Sequence, residues 1–162
     1  MTIAVYVDDV LFFVSSESDR EVVITELQAD GFELKREKGG DDTAYSFLDI
    51  NINQTDGAIK MTQHCLIKKF LKTVGMEDCD AKSTPCNQTP LATDEHGPHH
   101  SESWEYASAV GMLMYLAGNA HPELAFAVHQ CARFTHSPHH SHATAVNHIG
   151  RYLKGIVDKN QG

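Results

Sequence analysis

The chain has no apolar run approaching the roughly 18 residues that a membrane span needs. Its N-terminus lacks the basic start and long apolar core of a secretory signal. A membrane-bound class is therefore not expected, and a cytosolic or nuclear setting is the default. Cysteine is sparse and unpatterned. Cys65, Cys79, Cys86 and Cys131 form no CxxC pair and no regular spacing, so free thiols are expected rather than a disulfide framework. Positive charge is also short: 13 Lys and Arg face 22 Asp and Glu, a net charge of −9. That argues against a freestanding nucleic-acid-binding domain, because phosphate contacts want lysine and arginine. Nothing in the composition suggests wholesale disorder, since 41% of residues are hydrophobic and 22% charged. At 162 residues the chain can form one domain or two small ones.

The charge that is present is unevenly spread. Residues 17–56 and 77–105 are strongly acidic, whereas 57–76 carry Lys60, Lys68, Lys69 and Lys72 and no acid. Two apolar, strand-like runs open the chain, 3–7 (IAVYV) and 10–14 (VLFFV), with Asp8 and Asp9 where a tight hairpin turn would fall. A helix is expected over 17–30, capped by Ser16 or Ser18, with Val23 and Leu27 on one face and Gly31 at its exit. It should pack on a small antiparallel sheet. Strands are expected near 32–36, 45–51 and 58–61, with turns at 39–42 (GGDD) and at Asp56-Gly57. This first part reads as a small α+β unit.

The rest reads as helical. Thr62 can cap a helix whose apolar face is Leu66, Ile67, Phe70, Leu71 and Val74, with Gly75 ending it. A polar connector over 77–101 contains Pro85, Pro90 and Pro98. Three further helical segments follow: one carrying Tyr106, Val110, Leu113, Met114 and Ala117, one opening after His121 with Pro122 in its first turn, and one over 141–154.

Tyr6-Val7-Asp8-Asp9 is the segment with most chemical content. Carboxylates are hard oxygen ligands suited to magnesium. Two such ions about 4 Å apart can stabilise the attacking and leaving oxygens of phosphoryl transfer. A bare Asp-Asp is better explained as a solvent-exposed turn. Here, however, the pair lies between two aliphatic runs, with a tyrosine two residues upstream. Tyr6 can support the end of a nucleic acid or simply pack beside the hairpin. Lys68, Lys69 and Lys72 can lie along a phosphate backbone, or form the solvated face opposite Leu66, Phe70 and Leu71. His136, His139, His140 and His142, with Cys131 upstream, invite a zinc reading, but the spacing matches no closed structural site and a polar interhelix loop accounts for them.

Tyr6-Val7-Asp8-Asp9 resembles the Tyr-x-Asp-Asp hairpin of copia-type retrotransposon reverse transcriptases. Later segments agree in order. Phe47-Leu48-Asp49-Ile50 is similar to that family's Phe-Leu-Gly-Ile. Gly75-Met76-Glu77-Asp78-Cys79 with Ser83-Thr84-Pro85 is similar to its Gly/Phe-Met-x-Asp-Cys and Thr-Pro segment. The run from Tyr106 to Leu116 is similar to its Tyr-Arg-x-x-Val-Gly-x-Leu-x-Tyr-Leu helix. His121-Pro122-Glu123-Leu124-Ala125-Phe126-Ala127-Val128 and Arg151-Tyr152-Leu153-Lys154-Gly155 resemble two further motifs.

The resemblance implies an α+β fold: a partial polymerase palm with a small antiparallel sheet, then a mainly helical thumb and connection region. Residues 1–61 would be the C-terminal part of the palm, 62–101 a thumb-like helix and polar connector, and 102–162 a helical connection region. It implies RNA-directed DNA polymerisation in the intact enzyme, with Mg2+ as cofactor. Asp8 and Asp9 would be catalytic and metal-binding. Tyr6, Lys68, Lys69 and Lys72 would lie near nucleic acid. The partners would be an RNA or DNA template-primer, a deoxynucleotide triphosphate and the remainder of a polyprotein. The third carboxylate and the fingers belong to upstream sequence, so the chain alone is expected to be inactive. The alternative is a noncatalytic folded remnant or a binding module. Departures from the family's pattern are Asp49 for glycine, Ala107 and His121 for arginines, and His148 and Gly150 for a basic and an aliphatic residue. If the glycine serves close approach of a nucleic-acid backbone, Asp49 would repel it.

Overall fold

The computed structural model describes residues 1–35, 44–55, 57–87, 89–94 and 96–159. The chain divides into two compact units, Met1–Thr62 and Gln63–Gly162. Small antiparallel sheets followed by a helical region make an α+β architecture.

In the first unit, β1 (Thr2–Tyr6) pairs antiparallel with β2 (Asp9–Phe13). Helix α1 (Glu17–Ala29) follows. The Ser16 hydroxyl accepts from the Ser18 amide at its start. At its end Gly31, at φ +93°, donates to Gln28 O while Phe32 donates to Leu27 O. This pair of bonds is a Schellman closure, which needs the left-handed conformation that glycine adopts without strain. The expected seating of this helix on a sheet is not realised as burial. Val23 and Leu27 are half-buried, and α1 buries no side chain fully.

The second sheet runs β3 (Ala44–Phe47), β4 (Ile50–Thr55), β5 (Ala58–Thr62), all antiparallel. The single strand expected over 45–51 is instead a hairpin. Phe47 pairs with Ile50, and Leu48 and Asp49 turn the chain at φ +53° and +59°. Positive φ at both central positions is a type I′ turn, which suits the twist of antiparallel strands and usually recruits Asn-Gly. Leu-Asp carries no such signal, which is why the turn was not visible in the sequence. Residues 32–35 hold no regular structure, so the strand expected there is absent over them, and the turn at 39–42 lies outside the described residues. Ile50 is the one fully buried apolar side chain described in this unit.

The second unit has a continuous core. Helix α2 (His64–Thr73) buries Leu66, Ile67, Phe70 and Leu71, and Val74 joins them. Gly75, at φ +68°, closes it with a second Schellman pair, Gly75 to Lys72 O and Met76 to Leu71 O. Thr62 does not cap this helix; it ends β5, and Gln63 precedes the first turn without a side-chain cap bond. Helix α3 (Tyr106–Asn119) starts at Glu105, whose carboxylate accepts from the Ala107 and Ser108 amides. A 3-10 turn (Pro122–Leu124) leads into α4 (Ala125–Ala132), and α5 (His140–Lys159) closes the unit. From α5, Ala143, Val146, Ile149, Leu153 and Val157 recur at three and four, so one stripe faces the core.

The polar connector 77–101 is strapped along α5 rather than left loose. The Arg151 guanidinium Nε donates to Asp80 O at 2.8 Å, and the Lys82 amide donates to Arg151 O at 3.1 Å. His148 Nε2 donates to Thr84 O at 3.0 Å and His142 Nε2 to Ala92 O at 3.2 Å. The His140 amide donates to Pro98 O, and the His100 amide to Pro138 O. Two glycines of α5 permit this closeness. A Cβ at Gly155 would lie 3.2 Å from Ala81 Cβ, and one at Gly150 would lie 3.2 Å from Met76 Sδ and 3.3 Å from Phe70 Cε1. Phe70 and Met76 thus occupy the space that an aliphatic residue at 150 would need.

Two outcomes follow from this packing. Gly150→Leu should destabilise the helical unit by about 2 kcal/mol, the usual cost of overpacking, read from denaturant unfolding followed by the fluorescence of Trp104, the one tryptophan. An unchanged midpoint would show that the α2–α5 contact is loose. All four cysteines are free. Burial pushes the Cys131 thiol up to about 11. Because the thiolate is the reactive form, iodoacetamide near neutral pH should label exposed Cys65 in the native chain and reach Cys131 only after unfolding.

Candidate functional site

The β1–β2 hairpin turns through two residues, Val7 and Asp8, with Tyr6 and Asp9 as the closing pair. Val7 sits at φ +53°, while Asp8 is not among the positive-φ residues. Positive φ at the first central position only is the type II′ pattern, where glycine is the usual occupant. A β-branched residue there is a steric outlier, because its branched Cβ crowds the backbone. Such a residue stores about 1–3 kcal/mol. The strain is held at the tip of the hairpin, where Val7 is 87% exposed.

This turn presents both carboxylates to solvent. Asp8 occupies the tip. Asp9 begins β2 on the strand face shared by Tyr6, across from it, and by Leu11 and Phe13 at the alternating positions. Tyr6 is 59% exposed, so its ring is not packed away beneath the hairpin. The opposite face carries Ile3, Val5, Val10 and Phe12. The hairpin is therefore apolar on both faces, the pattern of strands built to be covered on both sides.

Lys68, Lys69 and Lys72 lie on the solvent face of α2, opposite Leu66, Ile67, Phe70 and Leu71, and none joins an ion pair among the described residues. They belong to the second unit and the hairpin to the first. Among the described residues, no group of three His, Cys, Asp or Glu is placed to hold a metal ion. Several of the histidines have other partners. His142 is buried between the His139 amide and Ala92 O, His148 holds Thr84 O, and His99 and His139 stack at 4.5 Å.

Two departures noted in the sequence acquire structural reasons. Asp49 lies in the left-handed region of a two-residue turn, so a glycine there would ease the turn itself; close approach of another backbone is not needed to explain it. His121 Nδ1 lies 2.9 Å from Glu123 Oε1, so the imidazole pairs within the turn that opens α4. The strain at Val7 was missed by sequence reasoning, and valine offers no signal for it. Val7→Gly should remove it. Amide exchange across β1 and β2 should slow by about fivefold, matching relief of about 1 kcal/mol; exchange that stays the same or quickens would mean the turn is not strained.

Among the proteins that align with the chain are three transposon proteins. Over 151 residues, 93% of its length, it is 26% identical to the retrovirus-related Pol polyprotein from transposon RE1 of Arabidopsis thaliana. Over 153 residues, again 93%, it is 30% identical to a putative transposon Ty5-1 protein of Saccharomyces cerevisiae. Over 112 residues, 64% of its length, it is 30% identical to the retrovirus-related Pol polyprotein from the tobacco (Nicotiana tabacum) transposon TNT 1-94. The chain spans 10%, 48% and 8% of these relatives' own lengths, so each is considerably longer. No family model matches the chain. No solved structure matches it either. With relatives of one kind aligned along most of its length, the chain is a distant homologue of retrotransposon Pol polyproteins.

Proposed function

We propose that the chain is part of the RNA-directed DNA polymerase of a retrotransposon polyprotein, with Asp8 and Asp9 as two of its metal-binding carboxylates. The observation that carries this reading is the hairpin: a strained two-residue turn that holds adjacent carboxylates at an exposed tip beside Tyr6. Strain of this kind accumulates where backbone geometry serves a site. The three transposon relatives supply the class of protein in which to look for that site.

The donor set fits magnesium in part. Two carboxylates are the hard oxygen ligands that Mg2+ prefers, but the described residues bring no third donor to them. In the intact enzyme the ion would polarise the reacting phosphate; the described residues alone do not complete its cage. What its own residues do is position. The II′ turn fixes the separation of Asp8 and Asp9, and the antiparallel pairing places the Tyr6 ring beside Asp9. Lys68, Lys69 and Lys72 offer three exposed cations, without an ion pair among the described residues, that a template-primer backbone can take up. The net charge of −9 opposes that binding when the chain is alone.

The second reading, a noncatalytic folded remnant or binding module, is favoured by one observation: the helical unit keeps a complete core that owes nothing to the carboxylate pair. Manganese separates the two readings, because it substitutes for magnesium on oxygen ligands and broadens nuclear resonances near its site. Titration of the full chain should broaden the amide signals of Tyr6 through Val10 selectively and weakly, and Asp8→Asn with Asp9→Asn should abolish the effect. No broadening there would remove the metal role. Primer extension on an RNA template should stay at background, because misplaced metals cost this chemistry orders of magnitude. Extension that is lost in Asp8→Asn would show instead that the chain is a self-sufficient polymerase.

A further inference from the structure

The first turn of α5 is crowded with imidazoles. His139 is its N-cap, since its carbonyl accepts from the Ala143 amide; His140 is the first helical residue, and His142 is the third. His136 lies just upstream. A helix N-terminus carries the positive end of the macrodipole, so it is the wrong end for cations. The dipole at that end favours the neutral form of an imidazole.

His142 is committed to that form by its bonds. The His139 amide donates to His142 Nδ1 at 3.0 Å. The side chain at the third helical position thus reaches back to the N-cap amide, as glutamate or glutamine does in a capping box. On the other side of the ring, Nε2 meets Ala92 O at 3.2 Å, and a carbonyl can only accept, so Nε2 carries the proton. One neutral tautomer satisfies both contacts. A second proton, on Nδ1, would point at the His139 N–H and leave that amide without its acceptor. The ring is 1% exposed and has no room to turn away.

The groups around it give a protonated ring little relief. Phe134 stacks on it at 3.9 Å and 9°, with the Arg133 guanidinium 5.2 Å from the Phe134 ring on the same patch. The His139 ring meets it edge-on at 5.6 Å and is itself stacked on His99. Among the described residues, Asp94, on the connector, is the anion that faces the pair. Its carboxylate already accepts from the Ser141 hydroxyl at 2.6 Å and the Gly97 amide at 2.8 Å. The Ser141 hydroxyl, with the Gly97 amide, holds Asp94 below the usual carboxylate range, so it stays charged where imidazoles titrate. His140 faces Glu102 at 3.9 Å but is largely exposed.

We propose that the start of α5 and the connector stretch carrying Ala92, Asp94, Pro98 and His100 form a proton-sensitive latch, closed while His142 is neutral and released when it is protonated. The same turn carries the other ties of this stretch, His140 amide to Pro98 O, His100 amide to Pro138 O and Ser141 to Asp94, so loosening the cap loosens them together. Release uncovers the cavity of about 130 Å³ that the connector's Pro85, Cys86 and Leu91 form with Cys131 and Ile149. The sign follows from the bonding: a histidine that must be neutral in the fold favours opening as pH falls.

Hydrogen exchange of the full chain tests this at pH about 7.5 and about 5.5, which bracket ordinary imidazole titration, with rates referred to the intrinsic rate at each pH. Protection of the amides of His100, His140, His142 and Ala143 should fall about tenfold in acid, the scale of one lost cap, while the amides of α3 keep theirs. His142→Gln retains an acceptor for the His139 amide and a donor for Ala92 O but does not titrate; its latch should stay closed at both values. Equal protection of the unmodified chain at the two pH values would overturn the proposal, and this arm does not depend on any variant folding. A response that persists in His142→Gln would overturn it as well, because it would belong to the other imidazoles.

Discussion

The second unit depends on one relation: α5 holds the backbone of a segment that cannot hold itself. The connector has three prolines and little regular structure, so its carbonyls and amides have few partners of their own. Buried or half-buried backbone groups without partners are costly. Arg151, His148 and His142 stand along α5 at intervals of three and six residues, and each side chain ends on a connector carbonyl. While these bonds are made, the connector covers one side of the core. Without them, Cys131 and Ile149 would face water across a gap.

This relation gives physical content to motifs that otherwise read as strings. In Arg151-Tyr152-Leu153-Lys154-Gly155, the arginine grips Asp80 O, the leucine enters the core, and the glycine admits Ala81 and Lys82 O. Gly75-Met76 is the Schellman end of α2, and the thioether of Met76 lies where a Cβ at Gly150 would intrude. Lys154 pairs with Asp158 one turn on, a solvent-side contact of little energetic weight. Sequence similarity over this stretch is therefore similarity of a packing scheme, and says nothing by itself about polymerisation.

Much of the helical unit was legible because its signals are periodic and local. The α2 stripe, the α5 stripe, Gly75 and Pro122 each announce a helix face or a helix end. The hairpin tip was legible in place, since two apolar runs flank it, but its strain was not, because Val7 adopts a conformation that valine disfavours. Leu48-Asp49 failed for the same reason: a type I′ turn was built from residues that do not advertise one, and the hairpin passed for a strand. The histidine cluster read as a loop because its spacing fits no closed metal site, but its bonds were not legible: only the distances show His142 and His148 ending on backbone groups and His99 stacked on His139.

The two units stand differently toward mutation. In Gln63–Gly162, twenty interlocked side chains make most core substitutions expensive for the fold itself. In Met1–Thr62, Ile50 alone is buried among the described apolar residues, so little folding energy rests on any one side chain. A genomic copy drifting without use would therefore be blind to losses at Asp8 or Asp9 long after it had begun to be purged of losses at Phe70 or Leu153. Selection for a stable product preserves the helices; the carboxylate pair has no such protector, and its persistence in any lineage has to be accounted for by something outside the chain's own stability.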